Sequence, residues 1–171
     1  MFCLLYCRDD NEKAYVSVNG KSCWSRALKS TTGSEQCGVK TNNWLFEYST
    51  LVTCKAEAVD GKLKVRVHTD LNSNADDESF AIDNVVVKLA TTITSNFNNK
   101  NDFEGWNCGD ITSCGEYGNV CGGYKAKGKE SEITKTFDVP AGTYGVTLDF
   151  IKIDSWCVLE TCLYYGKEWG V

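Results

Sequence analysis

The stretch from Asp76 to Leu89, DDESFAIDNVVVKL, decides how the rest of this chain is interpreted. Three acids run directly into a segment rich in β-branched residues, which is the pattern of a polar loop leading into a strand. The preceding residues 70–75, DLNSNA, add side chains that carry oxygen. Carboxylate and amide oxygens are the ligands that calcium prefers. The stretch therefore predicts the closing strand of a β-sandwich, entered from a loop that can bind a hard cation.

Short strands and tight turns are predicted on both sides of this stretch. Residues 14–18 form a strand that ends at Asn19-Gly20, a pair that accepts the positive φ of a hairpin turn. After Asp60-Gly61, apolar and polar residues alternate over 63–68, and similar patterns return at 132–137 and 146–150. The alternation changes phase at Ile151-Lys152-Ile153, which predicts a β-bulge. The predicted fold class is all-β, an antiparallel β-sandwich of jelly-roll type.

The composition supports a folded core and excludes some partners. Of the 171 residues, 42% are hydrophobic and 12% aromatic, which is enough for one large sandwich. The formal net charge of −5 argues against a nucleic-acid partner, since that would require a basic face. There is no run of 18 apolar residues, so no membrane span is predicted in this segment.

Cysteine usage indicates the compartment. The chain has ten cysteines but a single histidine, so mixed zinc ligands are not available. Zinc held by four thiolates is the alternative, but a doubled C-x-x-C pattern is missing. Disulfides in an oxidising, extracellular or cell-surface environment are therefore predicted, with the pairing left open. The cysteines are Cys3, Cys7, Cys23, Cys37, Cys54, Cys108, Cys114, Cys121, Cys157 and Cys162.

The order of segments suggests that the chain starts and stops within a repeating unit. Residues 91–100 are rich in Thr, Ser and Asn and form the predicted linker. Residues 2–21 and 150–167 correspond, each with an apolar strand, an acidic turn and a Gly-Lys ending, at a period of roughly 146 to 148 residues. We therefore interpret 1–90 as the C-terminal part of one sandwich unit and 101–171 as the N-terminal part of the next. The alternative is that the two halves close into one permuted sandwich.

A family resemblance supports the same interpretation. Residues 77–85, DESFAIDNV, resemble the closing signature DES-F/W-GIDNV of concanavalin-like jelly-roll domains in large secreted proteins. Those domains also have a segment similar to residues 148–156, followed by an acidic pair and a V-x-V-N-G strand, which this chain carries at 9–20. The order of these segments along the chain is therefore similar to that in a circularly permuted domain. Ala81 replaces the usual glycine, and Cys157-Val158-Leu159 interrupts the expected acidic run. Such modules are abundant in cysteine-rich surface proteins of ciliates and other protists.

The acidic stretch is the predicted calcium site. The resemblance implies that acids from the hairpin loop at 9–12 lie beside it. The predicted ligands are Asp70, Asn72, Asp76, Asp77 and Glu78, joined by Asp9, Asp10 or Glu12. A solvated acidic loop is the alternative, because no fixed ligand spacing such as that of an EF-hand is present.

No catalytic site is predicted. Asp76 and Asp77 are adjacent, so their side chains diverge on an extended chain, and no nucleophile-elbow motif is present. Trp24, Trp106 and Trp169 are candidates for stacking on a sugar ring, whereas Trp44 and Trp156 are interpreted as core residues.

The predicted function is that of a structural repeat unit in an extracellular or cell-surface protein, such as a ciliary filament. Its partners would be copies of itself or adjacent repeats, joined by strand or half-domain complementation. The alternative is a calcium-dependent carbohydrate-binding module with glycans as partners.

Overall fold

A computed structural model describes residues 12–28, 33–34, 36–37, 47–154 and 156. Several predicted residues lie outside these ranges, and nothing further is said of their structure. They are Asp9 and Asp10 of the calcium set, Trp44 and Trp169, and the cysteines Cys3, Cys7, Cys157 and Cys162.

The described residues form two antiparallel sheets packed as a sandwich. One sheet has four strands in the order β2-β1-β4-β9, and the other has the order β3-β10-β5-β8-β7 with β6 also paired to β5. This confirms the predicted all-β antiparallel sandwich. The strands are β1 (Lys13–Val18), β2 (Lys21–Ala27), β3 (Tyr48–Glu57), β4 (Lys62–Thr69), β5 (Glu78–Lys88), β6 (Thr92–Ser95), β7 (Ile111–Ser113), β8 (Asn119–Gly122), β9 (Glu132–Asp138) and β10 (Thr143–Asp154).

The two predicted hairpin turns are present, and a hydrogen bond joins the two hairpins. Asn19 and Gly20 have φ of 48° and 77°, and Asp60 and Gly61 have φ of 50° and 72°, the left-handed backbone that these residue types accept. The Asn19 side chain also accepts a hydrogen bond from the backbone N–H of Lys64 at 2.8 Å. One turn residue therefore fixes the position of the neighbouring hairpin.

Strands from the second half of the chain complete both sheets. β9 pairs with β4 from Lys62↔Asp138 to His68↔Glu132, and β10 lies between β3 and β5. Within the segment predicted as a linker, β6 pairs with β5 from Val85↔Ser95 to Lys88↔Thr92. The linker segment therefore contains a strand of the six-stranded sheet.

Phe150 on β10 lies at the centre of the core between the sheets. Its ring stacks on Phe80 of β5 with centroids 5.8 Å apart, and Trp156 meets it edge-on at 5.8 Å. Trp156 is fully buried, as predicted, and its Nε1 donates to the carbonyl oxygen of Ser79 at 2.8 Å.

The change of phase near the end of β10 has a different cause from the predicted bulge. The register shift between β10 and β5 falls earlier, between Thr147 and Asp149. Ile151 and Ile153 instead face a second, smaller apolar cluster with Cys37 and Cys114. Because β10 is covered on both faces at this end, the apolar residues Phe150 and Ile151 occupy consecutive positions.

Three disulfides join the described cysteines, which confirms the predicted disulfide stabilisation. Cys23–Cys54 links β2 to β3 and therefore one sheet to the other, and Cys108–Cys121 closes a short loop in the second half. Cys37–Cys114 joins the two halves of the chain across 77 residues.

Candidate metal centre at the acidic end of the sandwich

Four strand ends place acidic residues at one end of the sandwich. β1 begins beside the end of β4, with Ala14 opposite Thr69, and β5 begins beside the end of β10, with Glu78 opposite Asp154. Glu12 immediately precedes β1, which belongs to the four-stranded sheet. Glu78 begins β5, which belongs to the six-stranded sheet. Carboxylates from both sheets are thus brought to the same end.

Glu12 and Glu78 form a buried pair of carboxyl groups. Glu12 is 7% exposed and Glu78 is fully buried. The backbone N–H of Asn72 donates to Glu12 Oε1 at 3.3 Å, and that of Ser73 donates to Glu78 Oε2 at 3.0 Å. Glu12 Oε2 is buried, and no donor among the described residues reaches it. A buried acceptor without a donor is unfavourable, so this atom is available for a ligand.

Ionisation of both carboxyl groups in this buried pair is unfavourable unless a cation is bound. Burial raises the pKa of Glu12 to about 8, and the charge of Glu78 contributes to the shift. Burial also raises the pKa of Glu78, with the charge of Asp77 adding to it. Two neighbouring buried carboxyls either share a proton or bind a cation.

The other predicted ligands lie around this pair without joining it. Asp70 is exposed, and its carboxylate accepts from the Lys13 N–H at 2.5 Å and from the Tyr15 hydroxyl at 2.8 Å. Asn72 and Asp76 are exposed, and Asp77 is half-buried. Of the predicted ligands that the structure describes, only Glu78 and Glu12 are buried together.

A cation at this pair would need ligands besides carboxylates. Within the described ranges, no group of three or more His, Cys, Asp or Glu side chains is arranged to hold a metal ion. Calcium accepts six to eight oxygen ligands, and these include backbone carbonyls and waters as well as carboxylates. The Glu12–Glu78 pair therefore fits the negatively charged ligands of a calcium ion. The backbone of the loop and solvent would supply the remaining oxygen ligands.

The two described tryptophans of the predicted sugar-binding set pack into the core. Trp24 is partly buried against it, with its ring 6.1 Å from that of Phe150. Trp106 is 9% exposed, and its Nε1 donates to Ser95 Oγ at 3.3 Å. Its ring meets Phe137 edge-on. These two indoles therefore pack at separate places in the core and do not form a shared exposed platform for a sugar ring.

Together these features define the class of protein as a disulfide-stabilised antiparallel β-sandwich with a buried acidic pair at one end. No protein-family model, curated protein or solved structure matches the chain. Among the described residues, no helix has the length and apolar character needed to cross a membrane.

Proposed function

We propose that this chain is a structural repeat unit of an extracellular or cell-surface filament, assembled through half-domain complementation between copies. The observation that carries this proposal is the position of β10. It pairs with β3 over ten positions and with β5 over nine, so an interior strand of the larger sheet comes from the second half of the chain. Neither half can complete its sheets without the other.

The same pairing can be made by a neighbouring copy. If the second half of one copy, with β7 to β10, occupied the first half of the next, every strand pairing and core contact would be retained. Such an exchange leaves one unfilled half at each end of the assembly, so copies add head to tail. The three disulfides fit the oxidising environment in which an extracellular filament exists.

Calcium has a structural role in this proposal. An ion bound between Glu12 and Glu78 would connect a residue next to β1 with the first residue of β5. It would therefore bridge the two sheets at the acidic end. The ion would also remove the repulsion between the two carboxylates, which hydrogen bonds from Asn72 and Ser73 offset only in part. Copies of this chain and calcium are thus the proposed partner and cofactor.

Half-domain exchange makes one disulfide intermolecular. Cys37 lies in the first half and Cys114 in the second, whereas Cys23–Cys54 and Cys108–Cys121 each stay within one half. We expect non-reducing electrophoresis of the concentrated protein to show a ladder of dimers and larger species that collapses to monomer on reduction. The double variant Cys37→Ser/Cys114→Ser should lose the ladder.

The matched control is Cys108→Ser/Cys121→Ser, which removes a disulfide within one half and should keep the ladder. Sedimentation of the oxidised wild-type protein supplies the independent measurement. A single monomeric species at all concentrations, with no covalent dimer, contradicts the proposed assembly.

A calcium-dependent carbohydrate-binding module is the second candidate, and the buried acidic pair is the observation that favours it. It receives less support because Trp24 and Trp106 both pack into the core. Glycan binding that a chelator abolishes, and that Glu12→Gln also abolishes, would favour this candidate over a purely structural unit.

A further inference from the structure

Two loops cross between the sheets at the acidic end of the sandwich. Residues 70–77 lead from β4 of the four-stranded sheet to β5 of the six-stranded sheet. Residues 123–131, the β8–β9 loop, lead from β8 of the six-stranded sheet to β9 of the four-stranded sheet. The first loop belongs to the first half of the chain and the β8–β9 loop to the second, so both halves contribute to this end.

Backbone hydrogen bonds join the β8–β9 loop to residues 73–80, which we call the acidic segment. The N–H of Lys125 donates to the carbonyl oxygen of Ala75 at 2.9 Å. Three further backbone N–H donations run from Lys129 to Ser73 at 3.2 Å, from Phe80 to Lys127 at 3.0 Å and from Gly123 to Phe80 at 3.0 Å. The position of the acidic segment therefore depends on a loop of the second half.

This contact reaches the carboxyl pair through Ser73. The carbonyl oxygen of Ser73 accepts from Lys129, while the N–H of Ser73 donates to Glu78 Oε2 at 3.0 Å. The preceding residue, Asn72, donates its N–H to Glu12 Oε1 at 3.3 Å. The backbone that orients both carboxyl groups is therefore held by the second half of the chain.

Glycine at position 128 makes the close approach of the two segments possible. A Cβ atom at Gly128 would lie 2.7 Å from the Cα and N of Ala75 and 2.8 Å from the carbonyl oxygen of Glu78. These distances are shorter than van der Waals contact, and backbone atoms cannot rotate away as the end of a flexible side chain can. A side chain at this position would therefore push the β8–β9 loop and the acidic segment apart.

This geometry links calcium binding to the docking of the β8–β9 loop. An ion at the Glu12–Glu78 pair needs both carboxylates in the orientation that the backbone of Asn72 and Ser73 gives them. Coupling between two binding events is reciprocal, so a loop that strengthens calcium binding is itself held more firmly, by the same factor, when calcium is bound. The coupling is the same whether the second half comes from the same copy or from a neighbouring one.

We propose that the β8–β9 loop is a positioning element for calcium, and that bound calcium in turn stabilises the docking of the second half onto the first. The coupling rests on the calcium site of the proposed function and adds a means of regulation to it. Removing calcium would loosen the junction between the halves, so assembly would respond to the calcium concentration around the protein.

Hydrogen–deuterium exchange of the intact, oxidised chain tests the effect of calcium on the loop. With calcium, amide exchange should slow about tenfold in residues 123–131, which contain no predicted ligand, and much less in the β3–β4 turn at 58–61, at the opposite end. Glu12→Gln should abolish this protection. Glu57→Gln, at an exposed glutamate that ends β3, is the matched control and should keep the protection.

Calcium titration by calorimetry tests the effect of the loop on calcium. Gly128→Ala should weaken calcium binding about tenfold, because it separates the loop from the acidic segment. The matched control is Gly145→Ala on β10, where the nearest neighbour of an added Cβ, the Lys88 carbonyl oxygen, would lie at 3.9 Å. That distance is ordinary contact, so this variant should bind calcium as the wild type does.

The possible outcomes separate the coupling from the proposed function. Calcium binding without slower exchange at 123–131, or equal calcium affinity in a folded Gly128→Ala and the wild type, overturns the coupling while the calcium site stands. Absence of calcium binding to the wild-type protein overturns both. The exchange measurement on the wild type decides the matter even where Gly128→Ala does not fold. Filament assembly is judged separately by the disulfide ladder, because each chain contains both halves.

Discussion

Replacing Phe150 by alanine is expected to lower the free energy of unfolding by about 3–5 kcal/mol. The ring is fully buried and contacts aromatic residues from three segments, namely Phe80, Trp156 and Trp24. Truncation removes the transfer free energy of the ring and leaves a cavity that β10, paired on both sides, cannot close. A loss of this size approaches the whole stability of an ordinary domain. Urea denaturation with the disulfides intact, followed by tryptophan fluorescence, measures it.

Leu51→Ala provides the control. Leu51 lies on β3 opposite Asp149, next to Phe150 in β10, but its side chain is 67% exposed. We expect a change within about 0.5 kcal/mol, as for other surface substitutions. A loss at Phe150 no larger than that at Leu51 would mean that the two sheets do not pack around this ring.

Without calcium, stability is expected to fall as pH rises from about 4.5 to about 8, and Glu12→Gln should make this dependence much weaker. The pKa of Glu12 is raised from 4.5 to about 8, so the folded state keeps a proton that the unfolded state releases. Between these values the folded protein binds more protons than the unfolded chain, so the free energy of unfolding decreases with pH. Below pH 4.5 the contribution of Glu12 to the free energy of unfolding is fully present, and it is lost as pH passes through 8. The raised pKa values of Glu78, Asp154 and Asp83 act in the same direction and leave a residual slope in the variant.

Saturating calcium should remove or reverse this slope, because the ion binds the ionised carboxylates and displaces the shared proton. Thermal unfolding at several pH values, with calcium and with a chelator, measures both effects. Glu57→Gln is the control and should behave as the wild type in every condition. An unfolding temperature at pH 8 that does not respond to calcium in the wild-type protein would exclude a cation at the Glu12–Glu78 pair.

The acidic stretch at 76–78 was predicted as a ligand loop, and the structure separates its members. Glu78 is the first residue of β5 and is buried, while Asp76 is exposed and Asp77 is half-buried. The sequence pattern does not show which of several adjacent acids in a turn is buried, because their exposure depends on where the strand begins. The signal for Glu12 was its position before the V-x-V-N-G strand.

Local patterns in the sequence determined the all-β class, the turns at Asn19-Gly20 and Asp60-Gly61, and the use of disulfides. Each of these depends on residues close together in the chain or on composition alone. Only the tertiary structure decided which strands are neighbours, that β10 lies between β3 and β5, and that buried carboxyl groups pair at the acidic end. The physical reason is that strand pairing and burial depend on residues distant in sequence, and the same alternating pattern is compatible with many partners. The proposed function depends on this second group of features.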